Sequence, residues 1–312
     1  MDASIVIRTF NEEEYLPELL QAVHEQESGI EYETVIVDSG STDGTLEIAE
    51  RFGCRVVHIS KSMFTFGRSL NLGCHAANGG VLVFVSGHCV PCDSSWLSRL
   101  IRPIVEGEAQ YSYGRQLGRD STKFSEHQVF EKYYPLTSKL QTESFFCNNA
   151  NAAVSRDVWS RFRFDETLTG LEDMMLAKHV VADGGAVAYV AEAPVFHIHN
   201  ETWHQVRIRY EREALALREI MPEVHVGFLD FIRYFVNGAM HDIGVAMEER
   251  RLLRTAFEIT AFRWMQFLGT YLGNLEHRQV SARQREEYFY PRPARRRSHE
   301  RNDRRSSTHE GA

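Results

Sequence analysis

Four groups of polar residues in this chain lie at spacings that could do chemistry. In "GLEDMM", Glu172 and Asp173 occupy what reads as the first turn of a helix. A carboxylate there is stabilised by the helix dipole; one aimed into a crevice can instead take a proton from a hydroxyl group. In "VIVDSGSTDGT", Asp38 ends an apolar run and is followed by Ser39, Ser41 and Thr42. Short acceptors beside free backbone N–H groups suit a nucleobase or a ribose, although Ser41, Thr42 and Asp43 equally fit a helix cap. In "FTFGRSLNLG", Arg68 and Asn71 fall near a helix N-terminus, an arrangement that binds phosphate. The fourth group is histidine: His88 follows the run "VLVFVSG", and His197 and His199 close "VFHIHN". Imidazole is a good ligand for first-row transition metals and a poorer one for magnesium. Alternation along a strand points His197 and His199 to opposite faces, so one is expected to meet His88 at a metal and the other to be structural.

These groups need elements to hold them, and the first two-thirds of the chain supplies alternating strand and helix signals. Apolar, β-rich runs at residues 4–10, 33–38, 54–59 and 81–86 alternate with helical patterns at 12–25, 46–51, 68–77 and 96–105. That alternation predicts an α/β fold with a mostly parallel, doubly wound sheet. In such sheets the ligand crevice lies beyond the carboxyl ends of the strands, and residues 8–11, 38–43 and 86–88 all fall there. Residues 110–118 read as a strand, 122–142 as a mixed aromatic segment suited to a lid, and 147–159 as a strand running into a short helix. A helix after Gly170 is expected to use Leu171, Met174, Met175, Val180 and Val181 as its apolar face. From about residue 202 only helical patterns remain. The expected organisation is a domain over 1–201, a helical region over 202–280 and a basic, disordered tail over 281–312. The helical region reads as packed on the sheet or on a second copy, or as touching a membrane surface through its mixed aromatic and basic residues.

Bulk properties narrow the function classes. A formal charge of −8 over 312 residues excludes a nucleic-acid footprint across the whole protein. The run "RPARRRSHERNDRR" at 292–305 is the exception, and reads as a solvated tail or a contact with an anionic surface. Five cysteines show no paired framework, which points to a reducing compartment. "CVPC" (Cys89 and Cys92) lacks the flanks of a redox motif and the second pair of a zinc site. The segment "MDASIVIRTFN" lacks the basic stretch and long apolar run expected of a signal peptide, and no run reaches the roughly 18 apolar residues of a spanning helix. The expected location is cytoplasmic, with attachment at the inner membrane face left open.

Seven segments in order resemble the family 2 glycosyltransferases of the GT-A (nucleotide-diphospho-sugar transferase, Rossmann-like) fold, in particular the rhamnosyltransferase-like group. They are "VIRTFNEEEYLPELL", "VIVDSGSTDGT", "FGRSLNLG", "VFVSGHCVP", "NNANAAVSRDVW", "GLEDMMLAKHVVADGG" and "VFHIHN". The resemblance implies an inverting enzyme that moves a sugar from a nucleotide-diphospho-sugar to a saccharide acceptor, free or lipid-linked, in surface-polysaccharide assembly. Arg8, Thr9, Phe10 and Asn11 would border the nucleotide, with Asp38 and Ser39 where the family has an acidic pair reading base and ribose. Arg68, with Asn71, would approach the diphosphate. Asp173, beside Glu172, matches the general base, and Asn148, Asn149, Asn151 and Trp203 would line the sugar and acceptor pocket.

One departure stands out. Ser86-Gly87-His88 occupies the Asp-x-Asp position, whose last Asp binds Mg²⁺ or Mn²⁺ in the family. Three outcomes follow: a divalent cation held by His88 with His197 or His199, metal-free stabilisation by Arg68 and His88, or a relic without catalysis. A nucleotidyltransferase of related fold and a nucleotide-sugar-binding protein without turnover are the rival readings. A homo-oligomer formed through the C-terminal helices is a further expectation.

Overall fold

The structure is a computed structural model that describes residues 1–27, 29–275 and 282–290. Nine strands form one mixed sheet. They are β1 (Ala3–Thr9), β2 (Tyr32–Asp38), β3 (Arg55–His58), β4 (Val81–Ser86), β5 (Cys89–Pro91), β6 (Tyr111–Leu117), β7 (Lys139–Gln141), β8 (Asn151–Ser155) and β9 (Val187–His197). Their order is β3-β2-β1-β4-β8-β6-β9-β5, with β7 also paired to β9. The pairings of β1 with β2 and β4, of β2 with β3, and of β6 with β9 are parallel. The pairings of β8 with β4 and β6, and of the short β5 and β7 with β9, are antiparallel.

The strands read as continuous apolar runs because helices cover both faces. Ile5 and Ile7 of β1 join one core with Leu16, Leu19 and Leu20 of α1 (Leu16–His24), Ile48 and Ala49 of α2 (Thr45–Arg51), and Trp96, Leu97 and Leu100 of α4 (Trp96–Val105). Val6 turns to the other core, beside Leu70 and Cys74 of α3 (Phe66–Ala76), Phe130 of α5 (Phe124–Tyr133), Trp159 of α6 (Arg156–Phe162), and Leu176 and Ala177 of α7 (Glu172–Ala182). Residues expected to form a lid therefore pack: Phe130 is buried in this second core. On α7 the fully buried apolar residues are Leu176, Ala177 and Val180. Leu171 instead caps the helix with a left-handed φ of 56°, while Met174, Met175 and Val181 are only half-buried.

Three long helices follow: α8 (Trp203–Ile220), α9 (Phe228–Glu248) and α10 (Leu252–Gly273). A Cβ at Gly269 or Gly273 would collide with backbone of α8, so glycine lets α8 and α10 cross closely. Between α9 and α10, Arg263 donates Nε and Nη2 to the two oxygens of Asp242, each at 2.7 Å, with Asp242 wholly buried. Phe124 of α5 joins Ala239, Ala246 and Ile259 in the core of these helices.

Residues 282–290 of the expected tail contain a further helix, α11 (Ala282–Phe289); the basic run at 292–305 lies outside the described residues. Among the described residues no helix is long and apolar enough to cross a membrane.

Candidate active site

Strand register assembles the site. In the parallel ladders Thr9 stands opposite Asp38 and Arg8 opposite Ser86, so the three polar strand ends meet. From the far side β9 brings His197 opposite Cys89, next to His88. The backbone N–H of Ile198 then donates to the His88 carbonyl at 3.1 Å. Gly87 is needed by close approach: a Cβ there would lie 2.9 Å from Glu12 Cγ and 3.1 Å from the Arg8 carbonyl oxygen. Ser86 is half-buried at the mouth, its N–H on the Ala150 carbonyl.

Asp173 is the buried acid of the crevice. Its Oδ2 accepts the Asn149 N–H and its Oδ1 the Met174 N–H, both at 2.8 Å. Burial, reinforced by the neighbouring Glu172 carboxylate, raises its pKa to about 7 against the pull of those two N–H groups. Glu172 faces the other way and accepts Arg8 Nη1 at 3.2 Å. The left-handed Leu171 just before α7 is, among the described residues, one of four non-glycine residues with positive φ, and such local strain is characteristic of functional sites. Asn11, also left-handed, accepts the Thr42 N–H through its side chain at 2.8 Å.

The histidines depart from expectation. Alternation placed His197 and His199 on opposite faces, but β9 ends at His197 and the chain turns, so the strand rule no longer governs His199. Their ring centroids are 3.9 Å apart, and the ligand atoms of His88, His197 and His199 all lie within 4.8 Å of one another. Each Nδ1 is engaged from outside the cluster: His88 by Glu12 Oε1 at 3.1 Å, His197 by Gln116 Oε1 at 2.7 Å, and His199 by Glu126 Oε1 at 2.7 Å. A neutral imidazole that donates its Nδ1 proton to such an acceptor leaves the Nε2 lone pair free, the usual outer arrangement of metal-bound imidazole. Burial opposes charge on His88, but Glu12 outweighs it and holds the pKa above the ordinary value. Burial, with the two other imidazoles beside it, drives that of His197 well down. Behind them, burial opposes ionisation of Glu126, yet His199 and Arg209 bring its pKa down to about 2. Its Oε2 is buried without a hydrogen-bond partner. Three convergent imidazoles, each with its Nδ1 beside an outer acceptor, fit a divalent transition metal.

Other expected site residues are already committed elsewhere. Asn71 is 5% exposed and binds Phe164 N–H and carbonyl, Trp159 Nε1 and Glu166, so it ties α3 to the loop after α6. Asn151 is wholly buried, accepting Trp96 Nε1 and donating to the Arg115 and Ala193 carbonyls. Neither can reach a ligand as placed. Arg68 donates Nε to Glu166 at 2.7 Å and Nη1 to the Met63 carbonyl. Asn148 caps its own turn through the Ala150 N–H, and Asn149 Oδ1 accepts the Tyr111 hydroxyl. The Trp203 ring faces Phe257 and the Lys123 ammonium. Asp38 uses both oxygens on the Gly40 and Ser41 N–H groups and the Thr9 and Ser41 hydroxyls, and the Ser39 hydroxyl donates to the Thr9 carbonyl.

The C-terminal helix lies across this end of the crevice. Tyr290 stands edge-on to Phe10 with centroids 4.8 Å apart, and the Lys61 ammonium is 4.3 Å from the Phe10 centroid. Phe289 packs on Phe64 and Phe66. The Tyr290 hydroxyl faces Ser39 and Asp38, with burial raising its pKa.

The family model for glycosyl transferase family 2 matches residues 4–162 of this chain. The chain belongs to that family. An O-antigen chain rhamnosyltransferase, RfbN of Salmonella typhimurium, is 27% identical over 222 residues, covering 67% of this chain and 70% of the relative. WbaN of Salmonella anatum, also an O-antigen chain rhamnosyltransferase, is 29% identical over 187 residues, 56% of this chain and 59% of its own. Among solved structures, the mannosyltransferase PcManGT of Pyrobaculum calidifontis, in complex with GDP-Man and Mn²⁺, superposes with a TM-score of 0.62 at 15% identity. That match covers 89% of this chain and 88% of the other. Residues 1–349 of S. aureus TarS in complex with UDP-GlcNAc give 0.51 at 16% identity, covering 90% and 95%. The fold is thus GT-A. For this family 2 glycosyltransferase, residue-by-residue reading missed Glu12, Gln116 and Glu126, which hold the histidines, and Arg209, which pairs with Glu126 and Glu201. Only Glu12, inside the "RTFNEEEY" strand-end segment, carried a local signal.

Proposed function

We infer that this glycosyltransferase is an inverting enzyme that takes a nucleotide-diphospho-sugar donor and uses Asp173 as general base toward a saccharide hydroxyl. The observation that carries the reading is the environment of Asp173: 6% exposed, fixed by two backbone N–H groups, and raised to about 7. A base whose pKa lies near neutrality is about half ionised at neutral pH and is well matched to accept a proton there. The acceptor oxygen, losing its proton to Asp173, forms a bond to the anomeric carbon as the bond to the diphosphate oxygen breaks, with inversion at that carbon. Donor chemistry is supported by the GDP-Man and UDP-GlcNAc named for the two structural neighbours. A saccharide acceptor in surface-polysaccharide assembly, lipid-linked or free, is supported by the O-antigen names of the relatives. Exposed Leu253 and Phe257, one turn apart on α10, support a contact with the membrane surface where a lipid-linked acceptor would sit.

His88, His197 and His199 would hold a divalent cation, Mn²⁺ ahead of Mg²⁺ given the imidazole donors. When bound, such an ion neutralises charge developing on the departing diphosphate. Arg8 is paired with Glu172 beside Asp173. The test is Asp173→Asn, expected to lower transfer by roughly 10²–10⁴-fold while leaving nucleoside-diphosphate affinity within a few-fold of wild type. Normal turnover by this variant would rule out Asp173 as the base.

A further inference from the structure

Two guanidinium groups approach one aromatic ring at the edge of the Glu172–Asp173 crevice. The ring is Phe66, the first residue of α3. Arg8 Cζ is 4.9 Å from its centroid, and Arg212 Cζ, carried by α8, is 4.7 Å from it. Arg8 has a full partner in Glu172 at 3.2 Å. Arg212 does not. Its Nη1 donates to the Tyr288 carbonyl at 3.1 Å, while its Nη2 is 3.9 Å from Glu213, beyond hydrogen-bond distance. Its Nε is buried and has no hydrogen-bond acceptor. Burial moreover pushes the Glu213 carboxyl toward its neutral form, which weakens the nearest counter-charge.

A buried guanidinium N–H left bare is costly, because water is excluded and nothing replaces it. A guanidinium also stays charged at any working pH, so the deficit cannot be relieved by losing a proton. The arrangement around Phe66 is therefore short of an anion. An arginine fork matches the paired oxygens of a phosphate, and an aromatic face holds the fork's plane in place.

We propose that Arg212 is a donor-binding residue that contacts an oxygen of the nucleoside diphosphate, acting with Arg8, which lies against the same Phe66 ring. The inference rests on the reading of the crevice as a nucleotide-diphospho-sugar site, and it assigns the diphosphate contact to α8, whereas Arg68 is engaged by Glu166. The Tyr288 carbonyl, supplied by α11, occupies one Arg212 donor in the ligand-free protein. Diphosphate binding exchanges that neutral acceptor for a charged one.

Calorimetric titration of the full chain with UDP, dTDP and GDP, and with uridine, thymidine and guanosine, tests this. Wild type, Arg212→Ala and Arg212→Lys are compared after their melting temperatures have been matched. Loss of a charged hydrogen bond predicts that Arg212→Ala binds the preferred nucleoside diphosphate about 10- to 100-fold more weakly, with affinity for the matching nucleoside within about twofold. Arg212→Lys, keeping charge but not the fork, should recover part of the loss. An Arg212→Ala variant with undiminished diphosphate affinity, or with equal losses for nucleoside and diphosphate, overturns the assignment and leaves the donor reading intact. Failure of wild type to bind any of the diphosphates overturns the donor reading itself, and Arg212's role with it.

Discussion

At the scale of single residues, Asp173 is a carboxylate whose surroundings disagree. Burial and Glu172 favour its protonated form, while the N–H groups of Asn149 and Met174 favour the ionised one. The first pair prevails, leaving a pKa of about 7. Catalysis needs the ionised form, so kcat should be level above that pH and fall about tenfold per unit below it. Glu172→Gln removes a like charge and frees Arg8, and both changes favour the ionised form. The acid limb of the kcat profile should then move to lower pH; an unmoved limb would separate it from Asp173. The histidines make a different demand. Chelation should abolish transfer, with Mn²⁺ restoring it better than Mg²⁺, because three imidazoles suit the former. In His199→Ala, direct titration should show Mn²⁺ affinity reduced at least tenfold, the scale on which lost ligands and their supports act. Equal Mn²⁺ affinity in wild type and variant would remove His199 from the metal site.

At the scale of elements, what could be read in the sequence was what short-range pattern controls. The strands now observed at Ala3–Thr9, Tyr32–Asp38 and Val81–Ser86 were visible because buried parallel strands are unbroken apolar runs bounded by turns. The helix at Glu172–Ala182 was visible, and of its expected face Val180 is buried while Met174 and Val181 pack against the core; Leu171 instead caps it in a left-handed conformation that spacing cannot show. Asn71 was read at a helix N-terminus and Asn151 through the family resemblance, and neither reading shows that the side chain is spent on protein backbone. His199 was misplaced because the strand rule was carried past the strand's last residue. The C-terminal helix at Ala282–Phe289 had no local signal, for what holds it is long-range: Tyr288 on Glu211, Phe289 on Phe64 and Phe66, Tyr290 on Phe10. That helix carries its own prediction. A base stacking on Phe10 needs the place where Tyr290 now stands, so amides of residues 282–290 should exchange hydrogen faster once a nucleoside diphosphate is bound. Slower exchange would make the helix a wall of the filled pocket.

At the scale of the molecule, contacts run across residue 201, where the sequence pattern changes. Arg209, on the first C-terminal helix, donates to Glu126 and Glu201 from beyond that point, and Phe124 lies in the core of the helices that follow. Cutting the chain at 201 would leave Glu126, 1% exposed, without its arginine. The C-terminal helices should accordingly unfold together with the sheet. Their internal strength depends on the buried Asp242–Arg263 pair, whose two members lie 21 residues apart on neighbouring helices. Removing one member leaves an uncompensated charge, whereas replacing both by apolar residues of similar volume removes the desolvation cost as well. Arg263→Met should therefore destabilise the protein by about 3–5 kcal/mol, and Asp242→Leu combined with Arg263→Met should recover most of that loss. If the sheet and the helices form one cooperative unit, the near-ultraviolet signal of Trp96, buried in the sheet core, and of Trp264, on the third long helix, will be lost in one transition in both variants. Two separate transitions would show that the C-terminal helices fold as an independent unit.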